Sequence, residues 1–176
     1  PLPLIESQHL ANDVLQALQG IHELKLVHSD VKPGNIVRYW SNALKRYCYT
    51  LIDFGFSFEE GCTTEDDWGC SIEYASIEML AGNIPVSTNS ESELFAHIFQ
   101  TFKDDLKALW YTIIHAIQGS LPWEQFPALL AKWYKEGYKE QLIAQENQVY
   151  LTLANLYDTM DAMPEPHQAW QQWLTA

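Results

Sequence analysis

Six apolar residues, Leu106, Leu109, Trp110, Ile113, Ile114 and Ile117, recur at i, i+3, i+4, i+7, i+8 and i+11. That series draws one face of a long α-helix and fits no strand, because a strand would send alternate residues to opposite faces. Thr101 and Asp104 have the spacing of a capping box at its start, and Gly119-Ser120-Leu121-Pro122 stops it. The helix is apolar around much of its girth, which predicts a central place with other elements packed around it.

The neighbours follow the same logic. Leu10, Val14, Leu18 and Ile21 step by four, four and three, which predicts a helix over about 7–26. A loop follows over 28–35, marked by Pro33-Gly34. Two β-rich runs, 35–40 and 47–52, flank the polar pairs Ser41-Asn42 and Lys45-Arg46 and predict a hairpin. Residues 53–69 have no clean period and carry Glu59, Glu60, Glu65, Asp66 and Asp67, which reads as an acidic loop. A short helix over 76–81 and an inserted linker over 82–100 come next. Beyond the central helix, a helix over about 124–135 precedes helical material around Leu153, Leu156, Tyr157 and Met160. Trp170 and Trp173 are read as core packing. The expected fold is mainly α: one domain over 1–176, a helical bundle around a central helix with a short β-hairpin beside the 28–35 loop.

Charge narrows the partners. With 23 Asp+Glu against 10 Lys+Arg, the formal charge is -13. Nucleic acid and anionic membrane require clustered cations and are excluded as partners on that ground. A protein partner, basic in character, fits the balance, as does plain solubility. Cys48, Cys62 and Cys70 are three, an odd number, with no metal-type spacing. Neither a disulfide framework nor zinc is indicated, and a reducing intracellular setting, cytoplasmic or nuclear, is expected. No apolar run approaches ~18 residues, so no membrane span is expected. The chain opens on Pro1 without a signal-peptide pattern, and the start reads as a cut or processed end.

The chemistry lies in two loops, each presenting one aspartate on either side of the hairpin. Phosphoryl transfer asks for such a pair: one carboxylate to orient the nucleophile's proton, another to hold a metal against phosphates. A lone Asp in a turn is ordinarily just solvated. The combination His28-Ser29-Asp30-Val31-Lys32-Pro33-Gly34-Asn35, then Asp53-Phe54-Gly55, then a helix opening Asp104-Asp105-Leu106 is far more specific.

On these motifs the chain resembles the eukaryotic protein kinases. With Tyr74-Ala75-Ser76-Ile77 and Gly119-Ser120-Leu121-Pro122-Trp123 added, it resembles their casein-kinase-one-like branch in particular. The resemblance runs from the first helix to about Trp123 and implies a kinase C-lobe with Mg²⁺ and ATP as cofactors. It makes Asp30 the catalytic base and Lys32 a phosphate contact of the Ser/Thr type. Asn35 and Asp53 become Mg²⁺ ligands, and Val37 lies under the adenine. His28 and Phe54 join an internal hydrophobic spine, Asp105 pins the catalytic-loop backbone, and Ser71 is the hydroxyl of the substrate pocket. The activation segment would be 53–78. His28 as a metal ligand explains less than His28 bonded to backbone. The acidic run at 59–67 reads either as a solvated face or as selection for a basic substrate. Cys62 and Cys70 read as ordinary thiols ahead of redox-sensitive ones.

Three departures from the family pattern follow. Ser29 replaces the arginine that grips a loop phosphate, which argues against control by activation-loop phosphorylation. Glu78 lacks its usual distant arginine, since Arg38 and Arg46 are the only arginines; either a lysine substitutes or Glu78 is exposed. Few residues precede the first helix, so the glycine-rich loop, the strand lysine and the adenine hinge are expected to be absent, and with them tight nucleotide binding. The expected function is therefore the phosphoryl-transfer half of a Ser/Thr kinase, inactive alone in the sense that ATP binding is weak or absent. The alternative is a stand-alone pseudokinase-type module, with an N-lobe or partner protein docking on the apolar surface near Val37 and Phe54.

Overall fold

The computed structural model describes residues 1–61, 71–82 and 100–176. Its architecture is mainly helical. The elements are α1 (Leu4–Glu23), β1 (Leu26–Val27), β2 (Ile36–Ser41), β3 (Arg46–Leu51), β4 (Phe58–Glu59), α2 (Ile77–Gly82), α3 (Phe102–Gln118), α4 (Ala128–Glu136), α5 (Tyr138–Ile143), α6 (Gln148–Ala162) and α7 (Pro166–Thr175). The inserted linker expected over 82–100 and both Cys62 and Cys70 lie outside the described residues, apart from Gly82 and Gln100 at the linker's ends.

Helix α3 is buried without a break from Asp104 to Ile114. The Asp104 carboxylate accepts the Thr101 N–H at 2.7 Å, the back-reaching arm of the capping box. Gly119 ends the helix at φ 89°, a left-handed turn that glycine enters without steric penalty. Helices α1, α6 and α7 pack against it. Trp110 is the deepest link, donating from Nε1 to the Leu153 carbonyl of α6 at 2.8 Å. Trp170 is fully buried and meets Trp173 edge-on, so the tryptophans near the C-terminal end serve the core.

Helix α1 starts and ends three residues earlier than its apolar stripe suggests. Pro3 fixes its entry, and Lys25 at φ 62° turns the chain out of the helix. The hairpin pairs β2 with β3 from Ile36↔Leu51 to Ser41↔Arg46. It is fastened to α1 by Asp13, which takes both guanidinium nitrogens of Arg46 at 2.8 Å and the Tyr49 N–H at 3.1 Å. Burial pushes the Asp13 carboxyl upward, but the Arg46 and Tyr49 bonds outweigh it and hold the group below its ordinary value.

Two expectations are corrected. Residues 53–69 are not loop throughout, because β4 pairs antiparallel with β1 through Leu26↔Glu59 and Val27↔Phe58. A two-residue ladder is too short to leave any periodicity in sequence. Helix α4 begins at Ala128 rather than near 124, because Pro127 caps it and Gln125 sits at φ 70°. Among the described residues no helix is long and apolar enough to cross a membrane.

The Trp110 contact carries a stability prediction. Trp110→Ala should cost about 3–5 kcal/mol through the cavity it leaves, and Trp110→Phe clearly less. Denaturant titration followed by circular dichroism measures both.

Candidate active site

The site is built outward from the first turn of α3. Asp105, 1% exposed, accepts the His28 N–H on Oδ2 at 2.7 Å and the Ser29 N–H on Oδ1 at 2.8 Å. Both amides reach one carboxylate because Ser29 adopts φ 76°, a left-handed conformation uncommon for a residue with a Cβ. The Ser29 hydroxyl is bonded to Gln100 Oε1 at 2.5 Å. The backbone strain at Ser29 is offset by these three bonds.

That anchor presents Asp30 in a fully bonded cradle. Ser71 donates to Asp30 Oδ1 from its hydroxyl at 3.0 Å and its N–H at 3.3 Å. Lys32 Nζ lies 2.7 Å from Oδ2 and 2.8 Å from the Ser71 hydroxyl. Asn35 donates from Nδ2 to both Oδ2 and the backbone carbonyl of Asp30, each at 2.9 Å. Burial pushes the Asp30 carboxyl up, yet the Lys32, Ser71 and Asn35 bonds prevail and keep it below its ordinary range. It is therefore ionised at neutral pH.

The second loop is tied to the first through backbone. The Ile52 N–H donates to the Asn35 carbonyl at 2.8 Å. His28 Nε2 sits 3.2 Å from the Ile52 carbonyl, while His28 Nδ1 accepts the Asp30 N–H at 3.3 Å. A carbonyl can only accept, so His28 carries its proton on Nε2. Its ring meets Phe54 edge-on at 5.0 Å. Asp53 has φ 64° and accepts the Gly55 N–H at 3.1 Å, with its carboxylate exposed. Val37, Ile52 and Phe54 are 42%, 40% and 49% exposed, an apolar surface beside Asp53.

Asn35 and Asp53 suit a hard divalent cation. Because Asn35 spends its amide nitrogen on two acceptors, its oxygen faces away as a neutral donor. Asp53 adds one exposed carboxylate. No group of three or more His, Cys, Asp or Glu converges among the described residues. That donor set is sparse, as Mg²⁺ favours when water and phosphate oxygens complete its shell.

The stretch 71–78 is fastened in part by Lys135, a residue that sequence reasoning passed over. Lys135, 3% exposed, donates to the Ile72 carbonyl at 2.9 Å and the Ala75 carbonyl at 2.5 Å. Trp123 Nε1 donates to the Glu73 carbonyl at 2.7 Å. Ser76 donates to Asp104 at 2.5 Å; burial raises the Asp104 carboxyl despite the bonds from Ser76 and Thr101. For Glu78 the lysine is Lys107, at 2.6 Å, which also holds Asp161 at 2.9 Å, although the Glu78 side chain stays more than half exposed. A signal was available for Lys135: it falls four residues after Ala131 on the buried face of α4, where an unpaired cation would be costly.

No family model matches the chain. Among curated proteins, it is 52% identical over 54 residues to the serine/threonine-protein kinase Kist of Mus musculus, a match covering 31% of this chain and 12% of that protein. It is 29% identical over 137 residues to casein kinase I homolog 1 of Schizosaccharomyces pombe, covering 74% of this chain and 28% of the relative. It is 31% identical over 121 residues to the serine/threonine-protein kinase stk11 homolog of Dictyostelium discoideum, covering 69% of this chain and 18% of the relative. The chain thus spans well under a third of each of these proteins and is protein-kinase-like.

Asp105→Ala orphans one buried and one part-buried amide, at about 1–3 kcal/mol for the buried one. It should lower the melting temperature and speed hydrogen exchange at His28 and Ser29. Both are read by calorimetry and amide exchange; an unchanged melting temperature would refute the anchoring role.

Proposed function

We propose that this chain is the C-lobe of a Ser/Thr protein kinase, carrying the phosphoryl-transfer half of the site. The observation that supports it most is the Asp30 carboxylate gathered by Lys32, Asn35 and Ser71 on a loop pinned by Asp105.

In this reading the substrate hydroxyl shares Asp30 Oδ1 with Ser71. An acceptor held below the ordinary carboxylate range is a weak base, so Asp30 orients the hydroxyl and takes its proton only late in transfer. That suits a loose transition state, in which the nucleophile gains little charge before the phosphoryl group moves. Lys32, hydrogen-bonded to both Asp30 and Ser71, is placed to meet charge on the transferred group. Asn35 and Asp53 would hold Mg²⁺, whose chemistry there would be to neutralise charge on the nucleotide phosphates. Val37, with Ile52 beside it, offers the floor under the adenine. Ser71 reaches the acceptor site from the segment fixed by Lys135 and Trp123.

A second reading, a stand-alone interaction module of pseudokinase type, draws support from the hairpin. Val37, Tyr39, Ile52, Phe54 and Phe56 are all at least 40% exposed. A nucleotide-clamping lobe or a protein partner would cover that face. The net charge of -13 favours a basic protein as substrate or partner and disfavours nucleic acid. A reducing intracellular setting suits the lone described cysteine, Cys48, a buried thiol.

Two measurements separate the readings. In the natural full-length protein, Asp30→Asn should lower phosphotransfer from labelled ATP by at least ~10²-fold with the fold intact; no loss would defeat the kinase reading. The 176-residue polypeptide, whose sequence holds no glycine-rich phosphate loop, should bind Mg²⁺-ATP only in the millimolar range, roughly -4 kcal/mol. Micromolar binding by titration calorimetry would show that these residues complete the nucleotide site.

A further inference from the structure

Asp105 is itself oriented by a second contact. Its Oδ2 lies 2.9 Å from His22 Nε2, and His22 Nδ1 lies 2.7 Å from His167 Nε2, across from α1 to α7. His22 is 4% exposed and stacks on Phe102 at 4.3 Å, so its ring plane is fixed.

The proton positions follow from the acceptors. Asp105 Oδ2 already accepts the His28 N–H, and as a carboxylate oxygen it can only accept again from His22. His22 therefore carries its proton on Nε2. Neutral His22 then offers a lone pair at Nδ1, and His167 must donate from Nε2. The chain of donation runs His167 to His22 to Asp105, which in turn receives the backbone of the loop.

We propose that His167 is a positioning residue for the 28–35 loop: its Nε2–H holds the His22 ring so that the His22 Nε2–H stays on Asp105, and that contact aims the Asp105 carboxylate at the His28 and Ser29 amides. That the loop so held is catalytic rests on the function proposed above. The hydrogen-bond chain does not, and loop order can be read without any phosphotransfer assay.

The arrangement also has a defined response to acid. A proton taken up by His167 goes to its Nδ1 and leaves the Nε2–H donating to His22. The charged groups facing the pair are Asp105 from α3, Glu165 ahead of α7, and Lys25, whose ammonium lies 5.7 Å from the Phe102 ring that His22 stacks on. Burial, then His22, holds His167 below the ordinary histidine value. The unfolded chain takes up that proton first as pH falls. The stability contribution is therefore full above the ordinary histidine value, and it declines as pH drops through that value toward the folded one.

The test combines ¹⁵N shifts of the histidine rings with amide exchange at His28 and Ser29, on the whole chain. At neutral pH, His22 should show a protonated Nε2 and a bare Nδ1. His167→Leu should weaken the His22 Nε2–H bond to Asp105, read as an upfield shift of that proton, and raise exchange at both amides about five- to tenfold. His167→Gln keeps an N–H donor and should restore both readouts. The loss of stability on acidification should be present in the wild type and smaller in His167→Gln, whose side chain does not titrate. Should His167→Leu fail to fold, His167→Gln and the wild-type pH course decide alone. Unchanged exchange at His28 and Ser29 in His167→Leu, or an acid step in His167→Gln equal to the wild type's, would overturn the proposal.

Discussion

The carboxylate of Asp105 is the constraint on which the rest of the site depends. It stands in the first turn of α3, where the helix dipole and unsatisfied amides favour negative charge. Asp104 stands beside it, and one helical step turns the two side chains to different partners. Asp105 takes the backbone of the loop that carries Asp30. Asp104 takes Ser76 from the segment that carries Ser71. Both sides of the proposed acceptor site are thus referenced to one helix end. The relative placement of Asp30 and Ser71 follows from the rigidity of a helix buried along eleven successive residues, Asp104 to Ile114.

A chain of net charge -13 has few cations to distribute, and three of them serve the site. Lys135 and Lys107 are buried, where an ammonium needs hydrogen-bonding partners to offset its lost hydration. Lys135 finds backbone carbonyls and the faces of Tyr111 and Trp123. Lys107 finds two carboxylates and the ring of Tyr157. Lys32 completes the set against Asp30 and Ser71. Each fixes a segment around Asp30 and Ser71, so the sparse positive charge holds the 71–78 stretch in place.

How much of this was readable beforehand depended on the range of the interaction. The stripe from Leu106 to Ile117, the capping pair Thr101 and Asp104, and the hairpin are local patterns, and each left its period or spacing in the chain. The spacing from Asp30 to Asn35 likewise announced a loop with a shared task. The left-handed turn at Ser29 did not, because nothing in the residue type demands it; it is imposed by a carboxylate 76 positions away. The β1–β4 ladder was hidden for want of length, whereas Lys135 was legible in principle from its place four residues after Ala131 and was masked by a lysine's ordinary surface reading. His167 was invisible for the same reason as Ser29: its role exists only through contacts 145 and then 83 residues apart.

The two aspartates differ in how far the fold prepares them, and that difference bears on the division of labour. Asp30 is 5% exposed and is held on both oxygens by three side chains and a backbone amide. Asp53 is exposed, and among the described residues its carboxylate accepts the Gly55 N–H two positions on. Preorganisation contributes to rate only where the oriented group need not move during reaction. On the proposed kinase reading, the proton-handling side of the site is therefore built by the helical core itself. The phosphate-handling side would take its order from a cover over Val37, Ile52 and Phe54, because excluding water there would strengthen every contact that Asp53 makes. Order at Asp53 and cover over the hairpin are on this account one equilibrium, and a ligand or protein surface that binds the apolar face shifts both together.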